Sequence, residues 1–315
     1  MADSTIKIAV LDDYQNIALK MADWSSIPGN HEVKVFNDHV SELEPLVQRL
    51  MPFNVVCIMR ERTPMTAALI DRLPNLQLIA STGRRNAAID LEAAKRRGIE
   101  VRHTGYRVES TVELTWALIL ALARNITTES NSVRDGGWQK TVGADLCEKT
   151  LGMLGLGNIG SRVAEIGKSF GMNLIAWSQN LTPEKAEGSG VRLVSKDELF
   201  READYLTIHL VLSERSRGTV GRRELALMKS TSFLINTARG PIVDEAALIE
   251  TLRDQKIAGA AIDVFDQEPL PVDHPLRHLP NVLTTPHIGY GTRAVYEIFF
   301  KDTVANIKSW ILSNL

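Results

Sequence analysis

Three polar side chains that could carry out chemistry on a carbonyl group follow apolar runs in the second half of the chain. Arg239 follows "SFLINTA", Glu268 follows "AGAAIDVFDQ", and His287 follows "NVLTTP". A histidine can give or take a proton near neutral pH, and an arginine can bind a carboxylate and polarise the carbonyl beside it. Taken singly, each residue could be an ordinary capping or loop residue. Together they predict a site for hydride chemistry, with Arg239, Glu268 and His287 as its catalytic residues.

A glycine-rich turn upstream fits the same chemistry. In "LGMLGLGNIG", Gly155, Gly157 and Gly160 have the spacing G-x-G-x-x-G, with an apolar run before them and a helical pattern after them. Such a turn lets the backbone approach a pyrophosphate, which then lies at the N-terminus of the following helix. The alternative is a tight turn with a purely structural role. In its context between a strand and a helix, the motif predicts dinucleotide binding.

The next apolar run, "NLIAWS", bears on the identity of the cofactor. It ends at Ser178, where an NAD-binding unit typically carries an acid that binds the adenosine ribose. Ser178, Gln179 and Asn180 can all donate hydrogen bonds to a phosphate, and a serine does not repel the 2′-phosphate of NADP. No arginine follows immediately. We therefore predict NAD(P) as the cofactor, with a weak preference for NADP and with NAD also accepted.

Further residues at strand ends complete the predicted cofactor site. The residues expected to bind the cofactor are Gly155, Leu156, Gly157, Asn158, Ile159, Gly160, Ser178, Gln179, Asn180, His209, Thr237, Ala238 and Asp263. The histidines at 31, 39, 274 and 278 stand in polar surroundings and are expected at the surface. No His/Cys/Asp cluster has the spacing of zinc ligands, so no metal is predicted.

The elements that must position these residues are short apolar runs alternating with helical patterns, which predicts an α/β fold with parallel sheets. The first series of strand candidates is "IKIAVLD", "HEVKVFN", "FNVVCIM", "LQLIAS" and "IEVRHT". The second is "LGMLGLG", "NLIAWS", "YLTIHLV", "SFLINTA", "AGAAIDVF" and "NVLTTPHI". A long apolar helix over 110–124 joins two doubly wound domains, and a final helix from about Arg293 is expected to pack back on the first domain.

Composition limits the class of partner. The 315 residues are 44% hydrophobic with a formal net charge of −2, which is typical of a soluble globular chain and argues against nucleic acid or an anionic membrane. The chain shows no signal peptide and no run long enough to span a bilayer. Two cysteines suggest a reducing compartment. We therefore predict a cytoplasmic protein that acts on a small molecule.

Four longer segments carry a resemblance to a known family. The segments "LGMLGLGNIGSRVA", "INTARGPIVDEAAL", "AIDVFDQEPL" and "TTPHIGYGT" resemble the signatures of the D-isomer-specific 2-hydroxyacid dehydrogenases, and the similarity extends over the whole chain. The resemblance implies an NAD(P)-dependent oxidoreductase that interconverts a 2-oxo acid and a D-2-hydroxy acid. The family's catalytic arginine, glutamate and histidine fall on Arg239, Glu268 and His287, and its aspartate near the nicotinamide carboxamide falls on Asp263.

The resemblance also implies an organisation. It predicts two Rossmann-like domains with the active site in the interdomain cleft, and a homodimer. A discontinuous, flavodoxin-like substrate-binding domain comprises 1–103 and 291–315, and the dinucleotide-binding domain comprises 104–290. The family's substrate loop falls on Ser81, Thr82, Gly83 and Arg84, with backbone N–H groups facing the substrate carboxylate and with His287 and Arg239 completing the substrate site. Arg84 and Arg85 stand where many members have small or neutral residues.

Several alternatives remain open at the level of the sequence. A non-catalytic NAD(H)-sensing protein of the corepressor type is the main rival, because relatives of this family have that role. A methyltransferase that uses the glycine turn for S-adenosylmethionine is a weaker rival, since it has no evident use for Arg239, Glu268 and His287. Within the family, glyoxylate/hydroxypyruvate reductase, phosphoglycerate dehydrogenase and a broader 2-oxo acid reductase all fit. The sequence does not indicate the physiological direction.

Overall fold

The computed structural model describes residues 5–314, and the chain divides into two compact units. Unit 1 comprises the residues up to Arg107 together with those from Thr292 onwards, and unit 2 comprises Val108–Gly291. Each unit has a parallel β-sheet and its own hydrophobic core.

Unit 1 contains a five-stranded parallel sheet with the order β2-β1-β3-β4-β5. Its strands are β1 (Ile6–Val10), β2 (His31–Val35), β3 (Val55–Ile58), β4 (Leu78–Ser81) and β5 (Glu100–His103). β3 and β4 are buried on both faces, which explains their unbroken apolar runs. This order is that of flavodoxin-like sheets, with the change of direction between β1 and β3.

Four short helices of unit 1 cover its sheet. They are α1 (Ala18–Met21), α2 (Leu43–Leu50), α3 (Ala67–Ile70) and α4 (Leu91–Arg96). Asp90 and Thr66 are the N-cap residues of α4 and α3, because each side chain accepts a hydrogen bond from a backbone N–H in the first turn. The buried faces of α2, α3 and α4 join the β-strands in one core.

Unit 2 contains a seven-stranded parallel sheet with the order β12-β11-β10-β9-β6-β7-β8. Its strands are β6 (Thr150–Leu154), β7 (Asn173–Trp177), β8 (Arg192–Leu193), β9 (Tyr205–Ile208), β10 (Phe233–Asn236), β11 (Gly259–Ile262) and β12 (Val282–Thr284). The order reverses between β6 and β9, which is the point at which doubly wound sheets bind dinucleotides. All six strands predicted for this unit are present, and strand β8 was missed because two residues, one polar and one apolar, are too few to show a strand pattern.

Unit 2 has seven α-helices between Val108 and Gly291, and the first of them is also the longest. They are α5 (Glu109–Ala123), α6 (Ile126–Arg134), α7 (Asn158–Ser169), α8 (Pro183–Gly188), α9 (Lys196–Glu202), α10 (Arg222–Leu227) and α11 (Glu245–Arg253). α5 was predicted over 110–124, and it packs against α7, β10 and β11.

The chain returns to unit 1 in the terminal helix α12 (Arg293–Ser313). This helix packs on α1, β4 and β5 and buries a broad apolar face. The prediction of an α/β fold with two doubly wound, parallel-sheet domains is confirmed.

Candidate active site

The glycine turn lies at the reversal of strand order in unit 2 and is built by close backbone contacts. Gly155 has φ +107°, and a Cβ there would come 2.8 Å from the carbonyl oxygen of His209 at the end of β9. A Cβ on Gly160 would lie 2.2 Å from the carbonyl oxygen of Gly155. Both positions therefore require glycine, because the first turn of α7 is packed directly on the loop.

Gly157 differs from its two neighbours. It immediately precedes α7, is exposed, and has no heavy atom within 4 Å of the position that a Cβ would occupy. Open space beside the uncapped N–H groups of a twelve-residue helix is what a pyrophosphate requires. The side chain of Leu156 is buried in the core, Ile159 packs partly against that core, and Asn158 is exposed. Leu156 can therefore offer only its backbone to a ligand.

The end of β7 lies beside this turn. The parallel register pairs Trp177 with Leu154, so Ser178 follows next to Gly155. Ser178 is half-buried, while Gln179 and Asn180 are exposed. The Ser178 carbonyl accepts a hydrogen bond from Leu181 N–H at 3.1 Å, which turns the chain after the strand.

His209 borders the glycine turn from the side of β9. Its Nε2 lies 3.1 Å from the hydroxyl of Thr207, and its Cδ2 lies 3.5 Å from the Cβ position of Gly160. Burial lowers the pKa of His209 to about 3, because a charged imidazole loses its hydration there. His209 is therefore neutral at physiological pH and provides a neutral wall beside the turn.

Glu268 and His287, which are nineteen positions apart, meet directly. The Nδ1 atom of His287 lies 2.5 Å from Oε2 of Glu268, and the other carboxylate oxygen accepts a hydrogen bond from Phe265 N–H at 2.9 Å. Since a carboxylate only accepts hydrogen bonds, Nδ1 carries the proton and Nε2 is left to exchange a proton with a ligand. His287 has φ +51°, a left-handed conformation that its surroundings must maintain.

Asp263 maintains the turn that carries His287. Its fully buried carboxylate accepts hydrogen bonds from the Thr285 hydroxyl at 2.6 Å and from the N–H groups of Ile288 and Gly289 at 2.9 Å each. Burial raises the pKa of Asp263 above its ordinary value, and these three donors oppose the rise. Asp263 was predicted to bind the cofactor, and both of its carboxylate oxygens accept hydrogen bonds from the turn that carries His287.

Arg239 follows β10, next to the strand that leads to Glu268. Its carbonyl accepts a hydrogen bond from the Asn236 side-chain amide at 3.0 Å, and its Nη1 donates to the Ala238 carbonyl at 2.7 Å. A Cβ on Gly240 would come 2.2 Å from the carbonyl carbon of Phe265. The Arg239 turn is therefore packed directly on the loop that carries Glu268.

The remaining predicted residues of this edge are Thr237 and Ala238. Thr237 is buried, and its hydroxyl lies 2.9 Å from that of Thr115 in α5. The Thr115 hydroxyl already donates to the Thr111 carbonyl at 2.8 Å, so Thr237 is the donor to Thr115. Ala238 is half-buried and directly precedes Arg239.

The predicted substrate loop belongs to unit 1 and follows β4. The Thr82 N–H donates to the Ile58 carbonyl at 3.1 Å, and the Gly83 N–H donates to the Thr104 hydroxyl at 2.7 Å. The Ser81 hydroxyl accepts a hydrogen bond from the Asn86 amide at 3.1 Å. The first N–H groups of the loop are thus engaged within the unit. Arg84 and the following arginine are exposed.

Arg60 is a charged neighbour of this loop that sequence reasoning missed. It follows β3 and has a left-handed backbone conformation, with φ +53°. Its Nη1 lies 1.7 Å from the position that a Cβ on Gly83 would occupy. Its guanidinium lies 5.4 Å from the ring centroid of Tyr106. The available signal was an arginine directly after a strand adjacent to β4, at the same edge of the sheet.

Two histidines expected at the surface are instead largely buried, each with a ring nitrogen against a carboxylate. The His39 side chain is 10% exposed and its Nδ1 lies 2.8 Å from Asp12 Oδ1. The His274 side chain is 15% exposed and its Nε2 lies 3.0 Å from Glu245 Oε1. The prediction was wrong because their carboxylate partners lie 27 and 29 positions away in the chain.

Unit 2 also has a cavity of about 430 Å³ away from these residues. Phe233, Ala258 and Val282, near the starts of β10, β11 and β12, are among the residues that line it. The candidate catalytic residues Arg239, Glu268 and His287 lie at the opposite ends of the same strands, so the cavity is not part of the candidate site.

Among residues 5–314, no group of three or more His, Cys, Asp or Glu side chains is arranged to hold a metal ion. Over the same residues, no helix combines the length and apolarity needed to cross a membrane.

Comparisons with known proteins bear on the family and the fold of this chain. Residues 116–289 match the family described as "D-isomer specific 2-hydroxyacid dehydrogenase, NAD binding domain". A glyoxylate reductase from Aeropyrum pernix is 45% identical over 235 residues, which cover 71% of this chain and 70% of that protein. A D-3-phosphoglycerate dehydrogenase from Methanocaldococcus jannaschii is 38% identical over 291 residues, 91% of this chain but 54% of that protein.

Among solved structures, a phosphoglycerate oxidoreductase from Vibrio cholerae O395 has the same fold. It superposes with a TM-score of 0.93 at 38% identity, covering 98% of this chain and 100% of that one. The family predicted from the sequence motifs is therefore confirmed. With its glycine turn at the strand reversal of unit 2, this chain belongs to the D-isomer-specific 2-hydroxyacid dehydrogenases, a family of oxidoreductases with an NAD-binding domain.

Proposed function

We propose that this enzyme interconverts a 2-oxo acid and a D-2-hydroxy acid, with Arg239, Glu268 and His287 as its catalytic residues. The observation that carries the proposal is the contact of 2.5 Å between Glu268 and His287. It leaves one imidazole nitrogen available at the edge of the sheet where Arg239 and the glycine turn also lie. The relatives reported above are all named as enzymes, which gives the alternative of a non-catalytic sensor no support.

In the reducing direction, Arg239 binds the substrate carboxylate and polarises the adjacent carbonyl. A nicotinamide cofactor held at the turn of Gly155, Gly157 and Gly160 would supply the hydride that carbon 2 receives. The protonated Nε2 of His287 gives its proton to the carbonyl oxygen, which becomes the hydroxyl group. Glu268 holds Nδ1 and stabilises the positive charge on the ring before the transfer. Solvent then restores the proton on Nε2. General acid catalysis of this kind contributes about 10²–10⁴-fold to the rate.

The substrate is proposed to carry a second polar or anionic group. Arg84 and Arg85 are exposed on the loop after β4, and the Arg60 guanidinium, which pairs with Glu61 at 3.7 Å, lies against Gly83. A carboxylate or phosphate beyond carbon 2 would find donors there, whereas a methyl group would not. Of the substrates in the names of the relatives reported above, phosphoglycerate carries such a group, whereas glyoxylate has no group beyond carbon 2.

For the cofactor, we propose that NADPH is accepted at least as well as NADH. Ser178 lies beside Gly155 in the register of β6 and β7, where an acid would repel a 2′-phosphate. Gln179 and Asn180 are exposed next to it and can donate hydrogen bonds. The family description names NAD, so use of NADH is expected as well.

A homodimer is proposed from one apolar surface of unit 2. Ile126 and Val133 of α6 are each 55% exposed, and Trp138 and Val142 in the following segment are 75% and 95% exposed. Large exposed apolar side chains concentrated in one segment of seventeen positions favour a protein-binding surface. A second copy of this chain is the proposed occupant, and sedimentation of wild type and Trp138→Ser tests it.

The central experiment is a reduction assay that follows oxidation of NADH or NADPH. The substrates are pyruvate, glyoxylate, hydroxypyruvate and oxaloacetate, with wild type, His287→Ala and Arg84→Ala. We expect turnover with at least one 2-oxo acid. Loss of the proton donor in His287→Ala should reduce kcat by about 10²-fold or more, with nearly unchanged cofactor binding. Wild-type turnover in His287→Ala would remove His287 from the mechanism.

Two comparisons within the same assay test the finer proposals. Arg84→Ala should lower kcat/KM most for the substrates with a second polar or anionic group, and an unchanged rank order would contradict a specificity role. In titrations of both cofactors, NADPH should bind about as tightly as NADH or more tightly. If NADH binds more tightly than NADPH by about tenfold, or about 1.4 kcal/mol, the proposed acceptance of NADPH is contradicted.

A further inference from the structure

Tyr290 makes an aromatic contact with His287 that the proposed mechanism does not yet use. The two ring centroids lie 5.5 Å apart with an angle of 69° between the ring planes. This is an edge-to-face arrangement, the geometry that aromatic rings prefer. Tyr290 is buried.

The backbone of the turn holds Tyr290 in this place. Gly289 N–H donates to Asp263 at 2.9 Å, and Gly291 N–H donates to the Ile288 carbonyl at 2.7 Å. The residues on both sides of Tyr290 are therefore fixed by hydrogen bonds. Tyr290 follows His287 by three positions, and this turn brings its ring to the imidazole.

The contact completes a restraint that Glu268 alone does not provide. A hydrogen bond at Nδ1 fixes one atom of the imidazole, but rotation about the Cα–Cβ and Cβ–Cγ bonds of the side chain can still move Nε2. A second contact through Tyr290 restricts this rotation and so determines the direction in which Nε2 points. We propose that Tyr290 is a positioning residue, which orients the imidazole of His287 for proton transfer through its aromatic ring rather than its hydroxyl. This inference rests on the proposed role of His287 as proton donor.

The test compares Tyr290→Phe with Tyr290→Leu. Tyr290→Phe keeps the ring, and its kcat should stay within about twofold of wild type. Tyr290→Leu removes the ring, and its kcat should fall by about two- to tenfold, with the KM for the cofactor nearly unchanged, as follows from the usual strength of such a contact. Phe170→Leu is the matched control. It removes an aromatic partner of Trp116, 4.8 Å away in the same unit, and should leave kcat unchanged.

A second measurement does not depend on activity. The NMR signals of the His287 imidazole, identified by their loss in His287→Gln, should shift in Tyr290→Leu and stay in place in Tyr290→Phe. Unchanged signals and unchanged kcat in folded Tyr290→Leu would overturn the proposal, as would equal damage in Tyr290→Phe. If the wild type reduces no 2-oxo acid while the signals still respond, the proposed function has failed, and the Tyr290–His287 contact stands.

Discussion

At the scale of single residues, similar side chains differ in function because their surroundings differ. His287 keeps one ring nitrogen for chemistry because Glu268 engages the other. His209 lies at the same edge of the same sheet, but burial keeps it neutral, and its Nε2 lies 3.1 Å from the hydroxyl of Thr207 rather than near a carboxylate. The residue type alone would not separate the proposed proton donor from the neutral histidine beside the glycine turn.

His209 leads to a prediction about stability at acid pH. Its pKa is about 3 in the folded chain, whereas an unfolded histidine has the ordinary value of 6.5. Below the unfolded value, the unfolded chain takes up a proton that the folded chain does not, so the free energy of unfolding falls as the pH falls. Between about pH 7 and pH 5 this residue accounts for up to about 2 kcal/mol of that loss.

Urea unfolding of wild type and His209→Gln at the two pH values measures this effect. Glutamine does not titrate, so the variant should lose less stability than wild type on acidification. His278→Gln, which changes an exposed histidine, is the control and should behave like wild type. Identical pH dependence in wild type and His209→Gln would contradict the assignment.

At the scale of elements, two glycines of the turn between β6 and α7 are needed for different reasons. Gly160 is required by the protein itself, because a Cβ there would lie 2.2 Å from the Gly155 carbonyl oxygen. Gly157 has open space around it, so it is required only if a ligand comes close. The same sequence motif therefore contains a packing glycine and a proposed binding glycine.

Alanine substitutions test this separation. Gly160→Ala should lower the free energy of unfolding by about 2 kcal/mol and also weaken cofactor binding, because α7 must move away from the turn. Gly157→Ala should cost about 1 kcal/mol or less, since the helix loses only a preferred capping residue, while cofactor binding weakens by about tenfold or more. Calorimetry and cofactor titration on both variants give the two quantities. Full cofactor affinity in Gly157→Ala would place the pyrophosphate elsewhere.

At the scale of the whole molecule, the path of the chain makes the two units unequal. Unit 2 is one continuous segment, Val108–Gly291, whereas unit 1 needs the C-terminal helix α12 to return to it. That helix buries large side chains in unit 1, among them Phe299, Phe300 and Ile307. The core of unit 1 is therefore complete only after the last part of the chain has been added.

Truncation after Gly291 tests this asymmetry. Removal of α12 should expose the apolar surface that the helix covers, and unit 1 should lose its cooperative unfolding transition and become sensitive to protease. Unit 2 retains all its strands and should still bind the cofactor. Matched substitutions in the full chain, Phe299→Ala against the exposed Leu312→Ala, separate the loss of packing from the loss of chain length. A truncated chain with a protease-resistant unit 1 would contradict the prediction.

The sequence by itself determined eleven of the twelve strands found within residues 5–314, the glycine turn and the types of the proposed catalytic residues. These features are local: apolar runs of strand length, glycine spacing and residues that directly follow a strand are visible within short windows. Ser178 belongs to this class, since its distance from the glycine turn is set by one helix and one strand. The family motifs are local in the same sense, which is why the family could be identified from them.

Only the tertiary structure decided which side chains meet and which groups remain available. It brought Glu268 to 2.5 Å from His287, engaged both oxygens of Asp263 in the His287 turn, and engaged the N–H groups of Thr82 and Gly83 within unit 1. It also placed Arg60 on Gly83 and Tyr290 beside His287. The physical reason is that these contacts depend on strand order, backbone conformation and side-chain rotamers. Residues far apart in the chain fix those quantities together, and no short window of sequence contains them.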